Sequence, residues 1–157
     1  MMSPQKQPVA IRRVDRRGAA LVELAVVLPV LILLVMGAID VGQFINVAQV
    51  VNDASRVGAR RATRNTLKNV SEVETAVQDH IQDAFPNVPS STLNAALIVD
   101  VRDGSGAAPT GGDITTIGSG SSVSVQVAFK YDAVRWMPVF AGLKDKSTQT
   151  TTVMRRE

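Results

Sequence analysis

The stretch "DRRGAALVELAVVLPVLILLVMGAIDVG", Asp15–Gly42, decides the fold of this chain because it holds one long apolar run. From Ala19 to Ile39 every residue is apolar or glycine except Glu23 and Pro29. At about 1.5 Å per residue, a helix of that length reaches roughly 30 Å, the thickness of the hydrocarbon core of a bilayer. We therefore predict one membrane-spanning helix, and the acid inside it requires an explanation of its own.

The charges on either side of the apolar run predict its orientation. Five of the 17 basic residues but only one of the 14 acidic residues precede Ala19, which leaves 12 basic and 13 acidic residues after it. By the positive-inside rule, the N-terminus then lies in the cytoplasm and everything after Asp40 lies outside. The balanced remainder does not favour nucleic-acid binding. We expect a single-pass protein of the inner (cytoplasmic) membrane.

The helix is predicted to continue past the membrane as an amphipathic helix that ends near residue 64. Apolar and small residues recur at three- and four-residue spacing, the period of a helix face. They are Phe44, Val47, Ala48, Val51, Ala54, Ser55, Gly58 and Ala62. The small residues Ala54, Gly58 and Ala62 form a stripe that lets another backbone approach closely. That backbone belongs either to this protein's own sheet or to the helix of a partner.

The remainder predicts a small α+β head. Ser71 and Glu74 match a capping box, and the helix after them has an apolar side before Pro86. That side holds Val73, Ala76, Val77, His80, Ile81, Ala84 and Phe85. "AALIVDVRD", "SSVSVQVAFKYD" and "STQTTTVMRR" have the β-branched, partly alternating composition of strands, and an irregular "WMPVFAGLKDK" precedes the third.

The predicted architecture is therefore a long N-terminal membrane helix that continues as an amphipathic helix, a second helix, and an antiparallel sheet of about three strands. Its domains are a basic cytoplasmic leader at 1–18, the long helix at 19–64 and an exported head at 65–157.

Catalytic and metal-binding chemistry is poorly represented. The chain has one histidine and no cysteine, so thiolate metal sites and a cysteine nucleophile are excluded. His80 lies at the edge of an apolar helix face and is assigned a packing role, as are Tyr131 and Trp136. Asp100, Asp103 and Asp113 could offer oxygens to calcium, but their spacing matches no calcium loop. We predict no enzyme activity, no cofactor and no metal site.

Glu23 stands five positions after Gly18, behind a basic tract and ahead of the apolar run. One interpretation is an acid that extends to the cytoplasmic interface. The arrangement also resembles the prepilin peptidase signal of type IV pilins and pseudopilins. That resemblance implies cleavage between Gly18 and Ala19, and pairing of Glu23 with the α-amine of a neighbouring subunit. A free α-amine is largely protonated at pH 7, so the buried acid would gain a charge partner on assembly.

A narrower resemblance covers the first third of the chain. "RRGAALVELAVVLPVLILLVMGAIDVGQFINVAQVVNDASRVGARRA" resembles the N-terminal region of TadE-like proteins, the pseudopilins of tight-adherence (Flp, type IVc) pilus machinery, and the final "TVMRRE" resembles that family's end. The shared features are Gly18, "ALVE", Leu28-Pro29, Gly37, Asp40, Gly42 and "ASRVGARRA". Leu24 departs from the aromatic residue that commonly follows the acid, and Phe44-Ile45 replace basic or aromatic residues.

The resemblance implies a structural or assembly component of a tight-adherence pilus or related secretion system, either membrane-bound or incorporated in the pilus. Its implied partners are a prepilin peptidase, other pilin or pseudopilin subunits and an inner-membrane secretion platform. Pro29 would kink the span, which membrane helices tolerate. Two alternatives stay open. One is an uncleaved single-span anchor that displays an extracytoplasmic binding domain, and the other is a secreted domain cut near Ala38.

Overall fold

The computed structural model describes residues 16–64, 67–135, 143 and 145–157. Most of the predicted leader, and Trp136 with most of the irregular stretch around it, lie outside the described residues. Contacts divide the chain into two units, one that ends at Met36 and one that is Gly37–Glu157. The second unit therefore includes the last part of the long helix as well as the rest of the chain.

The first helix, α1, is Arg16–Thr63, 48 residues without a break. It ends where the amphipathic pattern predicts, and Pro29 lies inside it. Every residue from Gly18 to Val35 is exposed. Within the described residues, Gly18–Thr63 is the one helix long and apolar enough to cross a membrane. An apolar segment that is exposed in the isolated chain is the pattern expected of a helix surrounded by lipid or by other subunits.

The second helix, α2, is Val70–Ala84 and buries four residues of the predicted apolar side: Val73, Ala76, Val77 and Ile81. His80 is half-buried and Ala84 is exposed. The capping-box prediction is wrong. The N-cap is Asn69, with no side-chain cap bond, because the helix begins one residue before Ser71. Glu72 then occupies the third helical position, where its Oε2 accepts a hydrogen bond from the backbone N of Lys68 at 3.0 Å.

A third helix, α3, is Ser90–Ala96, where the sequence predicted the beginning of a strand at Ala95. Its N-cap is Pro89 at φ −57°. Alanine favours helix, and the β-branched residues that favour extended backbone begin only at Ile98. The strand therefore begins two residues later than predicted. Short 3-10 turns follow in the connections, at Thr110–Gly112, Ile114–Thr116 and Tyr131–Ala133.

Three strands form one antiparallel sheet in the order β1-β2-β3: β1 Leu97–Asp103, β2 Ser122–Lys130 and β3 Ser147–Arg155. The register pairs Val101 with Val125 and Val125 with Thr152. The predicted α+β class, with a long N-terminal helix and a three-stranded antiparallel meander, is confirmed.

The core lies between one face of the sheet and the helices. Every second residue of β2 points inward and is fully buried, namely Val123, Val125, Val127 and Phe129. Val47, Val51 and Ala54 of α1 belong to the same cluster. One polar group ties α1 to the sheet: Ser55 Oγ donates to the carbonyl O of Val125 at 3.0 Å and shares a hydrogen bond with Thr152 Oγ1 at 2.8 Å.

Candidate functional site

Gly18, Ala19 and Glu23 lie exposed on the first turns of α1. A Cβ added at Gly18 would meet no atom within 4 Å. Glycine inside a helix is less favourable than alanine by about 0.5–1 kcal/mol. Packing among the described residues therefore supplies no reason for glycine at position 18.

Glu23 shares a shallow surface groove with Ala20, Leu24 and Val27. In the part of the chain that the structure describes, no hydrogen bond or ion pair involves its carboxylate. Within a span the carboxylate would be costly by about 2.5–3.5 kcal/mol at the centre of the bilayer, and less towards the interface. The acid is thus available to a partner outside this chain. Pro29, six residues further on, has no N–H to donate, yet the helix is continuous through it.

The small-residue stripe of α1 faces the core of the unit Gly37–Glu157. Ala54 and Ala62 are fully buried, and a Cβ added at Gly58 would lie 2.8 Å from Val77 Cγ2 and 3.2 Å from Val125 Cγ1. A distance below 3.0 Å is one that real Cβ atoms essentially never show. Of the two partners considered for this stripe, the structure places this protein's own α2 and β2 against it.

A buried pair, Asp40 and Tyr131, was not singled out as a site from the sequence. Asp40 is 1% exposed and Tyr131 is fully buried. The Tyr131 hydroxyl donates to Asp40 Oδ1 at 2.9 Å, and Gln43 Oε1 lies 3.4 Å from it. The Phe44 ring meets the Tyr131 ring edge-on at 5.4 Å. Asp40 lies four residues before Phe44 on the same apolar helix face. An acid on an apolar face indicates a buried polar contact, and this pattern could have predicted the pair from the sequence.

The environment of Tyr131 keeps its hydroxyl protonated. Burial raises the pKa of Tyr131 to about 12, and the hydrogen bond to Asp40 acts in the same direction. The phenol therefore stays a donor at all physiological pH values. The contact joins Asp40, which directly follows the apolar run, to the residue that directly follows β2, 91 residues away along the chain.

We expect alkaline pH to destabilise the head through Tyr131. An unfolded tyrosine loses its proton near pH 10, whereas the folded one holds it to about 12. The stabilisation is complete below pH 10 and is lost as the pH rises from 10 to 12. Because the chain has one tyrosine, the ultraviolet absorbance of phenolate reports this group alone. A midpoint near 10 in the folded chain would contradict the buried geometry.

Replacing Tyr131 with phenylalanine should destabilise the head by about 1–3 kcal/mol, because the Asp40 carboxylate stays buried and loses its donor. Asp40→Asn is the matched control, since the amide keeps an acceptor oxygen for Tyr131. Denaturant unfolding of the detergent-solubilised chain measures both. If Tyr131→Phe unfolds like the parent chain, the hydrogen bond has no net value.

The loop aspartates cap their own turns. Asp103 Oδ1 accepts from the backbone N of Ser105 and of Ala107, both at 2.9 Å, and Asp113 Oδ1 accepts from the backbone N of Thr115 at 2.8 Å. Hydrogen bonds from the Ser105 and Thr115 hydroxyls lower the pKa of Asp103 and of Asp113 respectively. Within the described residues, no group of three or more histidine, cysteine or acidic residues could hold a metal ion.

The family model described as "TadE-like protein" matches residues 18–60. Over these residues the chain is similar to TadE-like proteins. No curated protein and no solved structure matches the chain. The recognised resemblance is thereby confirmed over a segment that begins at Gly18 and includes Glu23, Pro29, Asp40 and Gly58.

The matched segment lies within α1, so the match contains the apolar part long enough to cross a membrane and the helix face that the sheet covers, but neither α2 nor the strands. Together with the apolar helix, it indicates a membrane-anchored protein with a pilus-related role of the pseudopilin kind. TadE-like pilus components are structural proteins.

Proposed function

We propose that this chain is a pseudopilin of a tight-adherence (Flp) pilus or a related secretion system, processed by a prepilin peptidase between Gly18 and Ala19. The observation that carries the proposal is the TadE-like match, which begins at the same glycine. The open surroundings of Gly18 support it, because none of the described residues requires glycine there. The product is a structural subunit and not an enzyme.

The proposed organisation follows the chain. Residues 1–18 form a cytoplasmic leader that is removed, 19–64 form the anchoring helix, and 65–157 form a head outside the cytoplasm. The basic tract that ends at Arg17 holds the N-terminus inside by the positive-inside rule. The exposed apolar surface of Gly18–Val35 is suited first to lipid and then to the helices of other subunits.

Glu23 is the proposed charge partner in assembly. Cleavage creates an α-amine on Ala19 that is largely protonated at pH 7. An exposed carboxylate with no partner among the described residues is suited to meet the amine of a neighbouring subunit. A charge pair completed only between subunits favours correct register, because a misplaced subunit leaves both charges unpaired in an apolar medium. Pro29 is the proposed kink within the span, which would suit a helix that must leave the bilayer and repack, and the inner-membrane secretion platform is the proposed site of transfer.

N-terminal sequencing of the membrane-bound protein tests this proposal, and the expected first residue is Ala19. A reporter fused after Glu157 should be active only if it is of the type that works outside the cytoplasm. A start at Met1 or Met2 would instead identify an uncleaved anchor that displays a binding domain. A start near Ile39 would identify a secreted domain.

A further inference from the structure

The last turns of α1 carry an exposed face of arginines. Arg56, Arg60, Arg61 and Arg64 are all exposed, and the first three lie in α1 itself. Arg56 and Arg60 are four residues apart and so stand one above the other on the helix surface. Asp53 is the single acid of this region of α1. We call Arg56, Arg60, Arg61 and Arg64 the arginine face.

The exposed side of α2 has the opposite charge. Glu72, Asp79 and Asp83 are exposed on it, and α2 contains no lysine or arginine. Glu72 is favoured where it is, because a negative charge near a helix N-terminus interacts well with the helix dipole. Asp79 and Asp83 lie in the C-terminal half, where the dipole disfavours a negative charge. We call Glu72, Asp79 and Asp83 the acidic face.

These two faces do not neutralise each other within the chain. Among the described residues, the recorded ion pairs join Arg102 to Asp100 and Arg135 to Asp132, so none connects α1 with α2. The inner sides of both helices are occupied by the core, which keeps the charged sides outward. Asp79 and Asp83 are therefore unfavourable for the stability of α2 itself. Residues that oppose a local structural preference are expected at functional sites.

We propose that the arginine face of one subunit docks on the acidic face of α2 in a second copy of this chain. The charges are complementary, and the spacing agrees: Arg56 to Arg60 and Asp79 to Asp83 are each four residues, about 6 Å along a helix. Two ion pairs therefore form in register at once. Because the two faces are different surfaces, the contact is head-to-tail, and each added copy presents a free face to the next.

Exposed ion pairs are individually weak and are screened by salt. The proposed contact therefore orients the heads of subunits that their membrane helices have already brought close together. The inference rests on the proposed function only in assuming that membrane helices bring the subunits close together.

A charge-reversal experiment in the full-length chain tests the docking. The cysteine-free background allows Gln49→Cys beside the arginine face and Thr75→Cys beside the acidic face, joined by a flexible bismaleimide in intact membranes. Both positions are exposed. The parent chain should give crosslinked dimers and longer ladders, and raised salt should diminish them. A contact within one chain would leave the product at monomer mass.

Variant one carries Arg56→Glu and Arg60→Glu, and variant two carries Asp79→Arg and Asp83→Arg. Each alone places like charges opposite each other, so the ladder should fall about tenfold or more. Mixed one to one, the two variants should restore it, since each face of one now complements the other. A single chain with all four reversals should also restore it. Lys130→Glu with Lys146→Glu, the same charge change at exposed sites elsewhere, should leave the ladder intact.

An undiminished ladder in either reversed variant would overturn the proposal. So would a loss that neither mixing nor the fourfold reversal repairs, because the faces would then serve a different molecule. Cleavage after Gly18 and membrane insertion are measured on the same samples. If cleavage or insertion fails, the proposed function is contradicted. Restoration of the crosslinked ladder in the mixed sample would still test the docking separately.

Discussion

Gly18→Val should leave the full-length precursor in the membrane. A peptidase must fit the backbone at the scissile bond, and a branched side chain beside that bond obstructs it. The chain itself tolerates the change, because a Cβ at position 18 meets nothing within 4 Å. Gly37→Val is the matched control: it lies in the same helix in equally open surroundings, and its precursor should be processed normally. An immunoblot that separates precursor from mature mass gives the result.

Glu23→Ala should have the opposite pattern, with normal cleavage and failed pilus assembly. Removal of a charge from the span makes insertion easier, so the mature protein should accumulate in the membrane. Glu23→Gln should fail in the same way because it keeps the shape and loses the charge, and Glu23→Asp should be intermediate because its reach is shorter. A pilus or adhesion assay beside the immunoblot measures this. Normal pilus assembly by the Glu23→Ala variant would contradict the proposed charge pairing. Normal cleavage of the Gly18→Val variant would contradict the proposed processing site.

Gly58→Leu should strongly destabilise the packing of α1 against α2 and β2. Even a methyl group at this position would stand 2.8 Å from Val77 Cγ2, and both Val77 and Val125 are fully buried. Overpacking of this kind typically costs about 1–3 kcal/mol, and leucine adds three carbons beyond the first overlap. Since a domain has only about 5–15 kcal/mol of stability, a large fraction of the total is lost.

Gly42→Leu separates this steric effect from helix propensity. Leucine is a good helix former, so at an open site it should stabilise α1 by up to about 1 kcal/mol relative to glycine. Gly42 is such a site, with no atom within 4 Å of an added Cβ. Denaturant unfolding in detergent should therefore shift in opposite directions for the two variants. A Gly58→Leu chain as stable as the parent would mean that the α1–α2–β2 contact is looser than described.

Much of the architecture could be predicted from the sequence because it depends on local periodicity. The apolar run and the three- and four-residue spacing after it define α1 to within a residue of its end at Thr63. The alternation of Val123, Val125 and Val127 defines the inward side of β2. Helix α3 was missed because seven residues are too few to establish a helical period.

The tertiary contacts of the candidate residues were harder to predict from the sequence. Close approach at Gly58 could be predicted, but its partners are Val77 and Val125, which only the tertiary fold brings there. The Asp40–Tyr131 hydrogen bond joins residues 91 positions apart, and no local pattern encodes such a distance. The motif of Gly18 and Glu23 could be predicted from the sequence because it is defined by local spacing. Its proposed partners lie outside the chain, so recognising it requires no tertiary contact within the chain.

If the head is exported as proposed, the hydrogen bonds of Ser55 also imply an order of folding. Ser55 reaches Val125 and Thr152, which are 70 and 97 residues further along the chain. On that proposal, the inner side of α1 stays uncovered while most of the polypeptide has yet to cross the membrane. The contacts of Ser55 are complete only with the last strand, because a sheet without β3 leaves Ser55 with one of its two partners. On the same proposal, a chain cut before Ser147 would be anchored but would lack β3 and the Thr152 partner of Ser55.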